Sequence, residues 1–128
     1  MKQAVFVSRD KDQFVEIEQM LSRKKVNIMW TPTGKDLMSL LSDTRSPNMI
    51  DMVVMAENLP DTPARSLIES VVVQSPFTLC VVAGTMDQKE FHDVYEGYGV
   101  LMQLSERPTE NDARDLEAHL DKLAGLGA

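Results

Sequence analysis

The sequence contains one cysteine, Cys80, among 128 residues. A disulfide framework and a cysteine-rich zinc site are excluded, because each needs several thiols. Basic residues are few: 13 Lys and Arg stand against 20 Asp and Glu, for a formal net charge of -7. That balance repels nucleic-acid phosphates and anionic lipid unless a local basic patch overcomes it. The run Arg23-Lys24-Lys25 is too small to be such a patch. Long apolar runs are missing as well. Ala4 to Val7 ends at Arg9-Asp10, too short for a signal-peptide core or a membrane span. These absences imply one domain over residues 1–128 in a reducing cytoplasm, with no membrane and no nucleic-acid partner. A chain this long buries roughly two-thirds of its unfolded surface, so it needs no metal or disulfide to fold.

Short runs rich in β-branched residues alternate with longer stretches whose apolar positions recur every three or four residues, five times over. Ala4 to Val7 is continuous and apolar, as a strand buried on both faces requires, and Phe14, Ile17 and Leu21 line a helical face after it. A second strand, Val26 to Thr31, leads to Thr33-Gly34-Lys35-Asp36, a capping-box-like start for a helix with Leu37, Leu40 and Leu41. The third strand, Ile50 to Met55, precedes Asp61-Thr62-Pro63, an N-cap and first-turn proline for a helix turning Ala64, Leu67, Ile68, Val71 and Val72 inward. Phe77 to Val82 reads as a fourth strand, and Phe91, Val94, Tyr95 and Tyr98 form the stripe of a helix closed by Gly97 and Gly99. Val100 to Leu104 is the last strand. Thr109 and Asp112 then open a helix with Ala113, Leu116, Leu120 and Leu123 inward and Gly125 and Gly127 at its frayed end.

Five βα units imply an α/β fold with a doubly wound, five-stranded parallel sheet. Among such folds the flavodoxin-like (βα)5 order 2-1-3-4-5 fits, and it places ligands beyond the carboxyl ends of the strands at the switch point. Chemistry is therefore sought in the loops after Val7, Met55 and Val82. A nucleotide or flavin site has no support there, since Ser8-Arg9-Asp10-Lys11-Asp12 lacks the glycine a phosphate cradle needs. His92 and His119 lie on different helices without metal-ligand spacing. Cys80 reads as a small core residue, and Ser8 has no histidine base to name.

The segment Asp51-Met52-Val53-Val54-Met55-Ala56-Glu57-Asn58-Leu59-Pro60-Asp61 resembles the receiver domain of bacterial two-component response regulators. In that family an apolar third strand ends in the phosphoacceptor Asp and a Met-Pro or Leu-Pro follows. Ser75-Pro76 and Arg107-Pro108 stand where the family has similar punctuation, so the resemblance spans nearly the whole chain. It implies a signalling module. It also places the phosphoacceptor at Ala56, which has no oxygen to phosphorylate. The acidic pair that binds Mg²⁺ matches Ser8-Arg9, leaving Asp10 alone for a cation that wants several carboxylate oxygens. The Ser or Thr after the fourth strand matches Ala83. The Lys before the last proline matches Arg107 or, with the register shifted by one, Glu106, and the switch aromatic falls near Met102 or Gln103.

The resemblance thus implies a degenerate phosphorylation pocket of Ser8, Arg9, Asp10, Ala56, Glu57, Ala83, Glu106 and Arg107, with no catalytic residue, metal or cofactor. Arg9 is a candidate to fill the lost cation's place by pairing with Asp10 or Glu57, or else points to solvent. The expected function is that of a pseudo-receiver: a phosphorylation-independent module, not an enzyme, binding a signalling protein or a second copy of itself. The family's partner face, formed by the fourth helix, fifth strand and fifth helix, matches His92, Tyr95, Tyr98 and Met102. Tyr95 and Tyr98 equally fit the inward stripe of their helix, and both readings stand. Met29, Met52 and Met55 read as core, Met86 and Met102 as adaptable contact surface, and Trp30 as an exposed anchor or an edge-strand cover. The alternatives are an active receiver that phosphorylates Asp10 or Glu57, and a small-ligand sensor using the space vacated at Ala56 and Ala83.

Overall fold

The computed structural model describes residues 1–43 and 49–127. Its strands are β1 (Gln3–Val7), β2 (Asn27–Thr31), β3 (Met52–Ala56), β4 (Leu79–Gly84) and β5 (Val100–Ser105). The helices between and after them are α1 (Val15–Arg23), α2 (Gly34–Leu41), α3 (Ala64–Gln74), α4 (Gln88–Tyr95) and α5 (Glu110–Gly127). All pairings are parallel and the order is β2-β1-β3-β4-β5, as expected of a flavodoxin-like doubly wound sheet.

Strand periodicity of two sorts each central strand between two cores. Ala4, Phe6, Met52, Val54, Val81 and Ala83 join Phe14, Ile17, Leu21, Ala113 and Leu116 on the α1 and α5 side. Val5, Val7, Val53, Met55, Cys80 and Val82 join Leu37, Ala64, Leu67, Ile68, Val71 and Tyr95 on the α2, α3 and α4 side. Burial pushes the Cys80 thiol up to about 11, so it is an inert packing group. At the β2 edge, Trp30 settles as a cover: its ring meets Phe6 edge-on at 4.8 Å and Phe14 at 6.0 Å. Met29 lies on the other side of that edge strand and is exposed instead of core.

Three further sequence expectations change. Asp61 does not cap α3, whose preceding residue Pro63 makes no side-chain cap. Its carboxylate accepts from Gly34 N and Lys35 N, both at 3.0 Å, and so caps α2 across the sheet end. Those two amides hold its carboxyl below the usual range. Phe77 lies outside β4, in the turn after α3, and is 82% exposed. Leu123 is exposed on α5, which continues through Gly125 to Gly127. By contrast, Thr33 Oγ1 does accept from Asp36 N at 3.1 Å, and Asp112 accepts from Thr109 N at 2.7 Å while Thr109 Oγ1 accepts from Asp112 N at 3.3 Å. Among the described residues no helix is long and apolar enough to cross a membrane.

Gly34, at the start of α2, sits close against the segment that leads into α3. A Cβ there would lie 2.7 Å from Thr62 Cγ2 and 3.2 Å from Leu67 Cδ1. Gly34→Ala is therefore expected to destabilise the fold by about 1–3 kcal/mol, read as a lower urea midpoint with an unchanged slope. Asp61→Ala, remote in sequence, lowers the midpoint through α2. Because Asp61 has a depressed pKa, its contribution is present above the ordinary carboxylate pKa and fades as pH falls through the lowered value. The difference in midpoint between wild type and Asp61→Ala should shrink accordingly in acid.

Candidate functional site

The carboxyl ends of β1, β3 and β4 enclose a cavity of about 350 Å³. All eight residues predicted for the pocket line it: Ser8, Arg9, Asp10, Ala56, Glu57, Ala83, Glu106 and Arg107. Gln13, Asn58 and Thr85 line it too and were not foreseen, since each is a polar loop residue with no motif to single it out. Ala56 and Ala83 are neighbours in the β3 to β4 register and form a small, apolar floor. Neither side chain carries an oxygen.

Above that floor, side chains tie one loop to the next. Ser8 is 5% exposed, and its hydroxyl donates to Gln13 Oε1 at 2.6 Å while accepting from Asp10 N at 3.0 Å. Gln13 Nε2 then donates to the Glu106 carbonyl at 2.7 Å, so the loop after β1 is joined to the loop after β5. A second tie runs parallel to it. Arg107 Nη2 donates to Asp10 Oδ2 at 2.7 Å, while Asp10 Oδ1 accepts from Asp12 N at 2.9 Å. The Asp12 amide and then the Arg107 guanidinium hold the Asp10 carboxyl below its ordinary value. The ion pair is solvent-exposed, so it orients the loops more than it stabilises the fold.

This arrangement decides between the two readings of Arg9 in favour of solvent. The guanidinium that meets Asp10 comes from Arg107, after β5, and Glu57 accepts from Thr85 N at 3.2 Å. Among the described residues no ion pair of Arg9 is found, and its side chain is exposed. The Glu57 side chain lies over Gly84, where a Cβ would come within 2.6 Å of Oε2. No three His, Cys, Asp or Glu side chains among the described residues group as a metal ion requires.

A shift between Cys80 and Val81 sets Met102 opposite Val81 and Gln103 opposite Val82. Gln103 grips the loop after β4 with both ends of its amide: Nε2 donates to the Met86 carbonyl at 2.7 Å, and Oε1 accepts from Met86 N at 3.2 Å. Glu106 gives the pocket a backbone carbonyl and Arg107 gives it a charge.

On the expected partner face, Tyr95 is 5% exposed and belongs to the core, because the inward stripe of α4 claims it. Tyr98 is half-buried and its hydroxyl donates to Glu69 Oε1 at 2.7 Å, while Met102 packs against the α1 and α5 core. His92 alone of the four is exposed.

Known structures share this architecture. A two-component response regulator from Clostridium difficile superposes with a TM-score of 0.77 at 14% identity, covering 96% of this chain and 98% of that one. The signal receiver domain of an HD domain-containing protein from Pseudomonas fluorescens Pf-5 gives 0.75 at 17% identity over 97% and 90%. The chemotaxis response regulator CheY4 of Vibrio cholerae gives 0.75 at 14% identity over 93% and 98%. No protein-family model and no curated protein matches the sequence. At these identities the likeness establishes the receiver-type fold.

If Arg107 rather than Arg9 orients Asp10, carboxyl-detected NMR titrations separate the two. Asp10 in wild type titrates below an ordinary Asp; in Arg107→Ala it moves part of the way back up, and in Arg9→Ala it stays in place. Only part is recovered because the Asp12 amide remains.

Proposed function

We propose that this chain is a receiver-like signalling module that works without phosphorylation, through protein contacts, in the cytoplasm. The observation that carries the reading is the end of β3. Where the resemblance puts a nucleophilic carboxylate, Ala56 faces the pocket, and the nearest acidic groups already have other work. Asp10 is held by Arg107 and the Asp12 amide, and Glu57 by the Thr85 amide. A carboxylate that accepts from a guanidinium and a backbone amide is a poorer nucleophile than a free one, because attack would forfeit those bonds. The reading therefore makes the chain a binding protein and not an enzyme. Its contact surface on the α4, β5 and α5 side would present His92 outright, with Tyr98 and Met102 contributing the parts of their side chains left in solvent.

A second reading draws on the cavity itself. At about 350 Å³ it is near the lower end of the size of small-ligand sites, and it sets Arg9 beside the hydrogen-bonding rim. A compact polar ligand is the class it would take.

One experiment addresses the alternatives together. The protein is treated with acetyl phosphate and weighed intact, and its amide spectrum is followed on adding Mg²⁺ and then beryllofluoride. The expected result is an unchanged mass and unmoved resonances for the loops after β1 and β3. A phosphoryl adduct, or localised shifts at Asp10 or Glu57, would overturn the proposal in favour of an active receiver. Shifts confined to the pocket on adding inorganic phosphate alone would favour the ligand-binding reading.

A further inference from the structure

Until its last residue, β5 is apolar except at Gln103. The register sets Gln103 opposite Val82, which belongs to the core on the α2, α3 and α4 side, and Gln103 is half-buried. An amide on such a face costs folding free energy unless both of its ends are bonded. Both are, and to the same residue. Nε2 donates to the Met86 carbonyl and Oε1 accepts from Met86 N, so one strand side chain satisfies the backbone of a loop residue in both directions.

Residues 85–87 lead from the end of β4, beside the pocket floor, into α4. Each of the three is fixed by a side chain. Thr85 N donates to Glu57 Oε2, and Gly84 makes room for that carboxylate, since a Cβ there would lie 2.6 Å from Oε2 and 2.8 Å from Cδ. Met86 is bonded to Gln103, and Asp87 caps α4 by accepting from Glu90 N at 2.8 Å. The helix has need of this. α4 buries Tyr95 alone, where α3 buries Ala64, Leu67, Ile68 and Val71. Past its far end, Tyr98 Oη donates to Glu69 on α3. Hydrogen bonds at its two ends thus position α4 more than packing along its length. The two sides of the loop's attachment differ in one respect: Glu57 and Thr85 line the cavity, and Gln103 and Met86 do not.

We propose that Gln103 is the positioning residue of α4: with Glu57 it clamps residues 85–87, and it keeps the helix and its exposed His92 in one orientation whatever occupies the cavity. A ligand that draws Glu57 away releases the Thr85 amide and nothing further, because Met86 stays bonded to Gln103 on a side the cavity does not reach. The α4 surface is then formed permanently, and the pocket does not switch it. What this means for a partner rests on the protein-contact reading above; the clamp itself rests on the hydrogen bonds.

Amide hydrogen exchange and relaxation dispersion on the whole chain test the clamp. In wild type the Thr85 and Met86 amides are expected to be protected and the resonances from Asp87 to His92 free of dispersion. Gln103→Leu keeps the size of the side chain and removes both bonds, so exchange at Met86 rises about tenfold and dispersion appears from Asp87 to His92, while the β1 and β3 amides keep their protection. Glu57→Ala speeds exchange at Thr85 and leaves Met86 and α4 as they were. Glu57→Gln, which retains an acceptor oxygen, keeps Thr85 protected. Dispersion through Asp87 to His92 in wild type would overturn the proposal, as would a Gln103→Leu variant in which Met86 and α4 are unchanged. Loss of protection spread evenly over the sheet in Gln103→Leu would also overturn it, since that marks a residue that only stabilises the fold. A phosphoryl adduct in the acetyl phosphate experiment overturns the protein-contact reading and leaves these exchange patterns as they stand, so the two fail separately.

Discussion

Burial of β1, β3 and β4 on both faces is the constraint from which the rest of the molecule follows. A strand covered on both sides has no polar face, so its residues are apolar without a break, and Ala4 to Val7 and Met52 to Ala56 are buried throughout. Helices must then lie above and below the sheet, and parallel neighbours require crossovers long enough to be helices. Backbone groups along the strands are satisfied by the ladder. Around the sheet itself polar side chains gather in the loops at the strand ends, and the cavity over Ala56 and Ala83 is the consequence.

Those loops are joined by a recurring device: a side-chain amide or carboxylate on one loop pairs with the backbone of another. Gln13 reaches the Glu106 carbonyl, Glu57 the Thr85 amide, Gln103 both sides of Met86, and Asp61 the first amides of α2. Unpaired backbone N–H and C=O groups near a covered sheet end are costly, and each such bond satisfies one. The same bonds occupy acidic groups at the rim. Asp10, fastened to Arg107 and Asp12, is the clearest case, and its loop is positioned by protein charge where the resemblance implies a bound cation.

How much was readable in the sequence depended on the range of the interaction. Strand and helix order came from short β-branched apolar runs and from apolar positions recurring every three or four residues, which are local, and the caps at Thr33 and Thr109 came from spacings of three residues. The pocket membership of Ser8, Ala56 and Ala83 followed from strand ends once the strand order was assumed. Phe77 was misplaced because an apolar residue next to a strand reads as part of it, and nothing local shows that the ladder starts two residues later. Tyr95 fitted an inward stripe and an outward face equally, and the packing of α4 on the sheet decided for the inward one.

From the sequence alone came the alternation of elements, the two-faced burial of the central strands, and the absence of a side-chain oxygen at Ala56, because each is set by residue identity or short-range periodicity. Only the tertiary structure decided that Arg107 and not Arg9 meets Asp10, that Asp61 caps α2 rather than α3, and that Gln103 grips Met86. Each of those contacts joins segments far apart in the chain. Their partners are chosen by where the crossovers set down the strand ends, a geometry to which no single stretch of sequence has access.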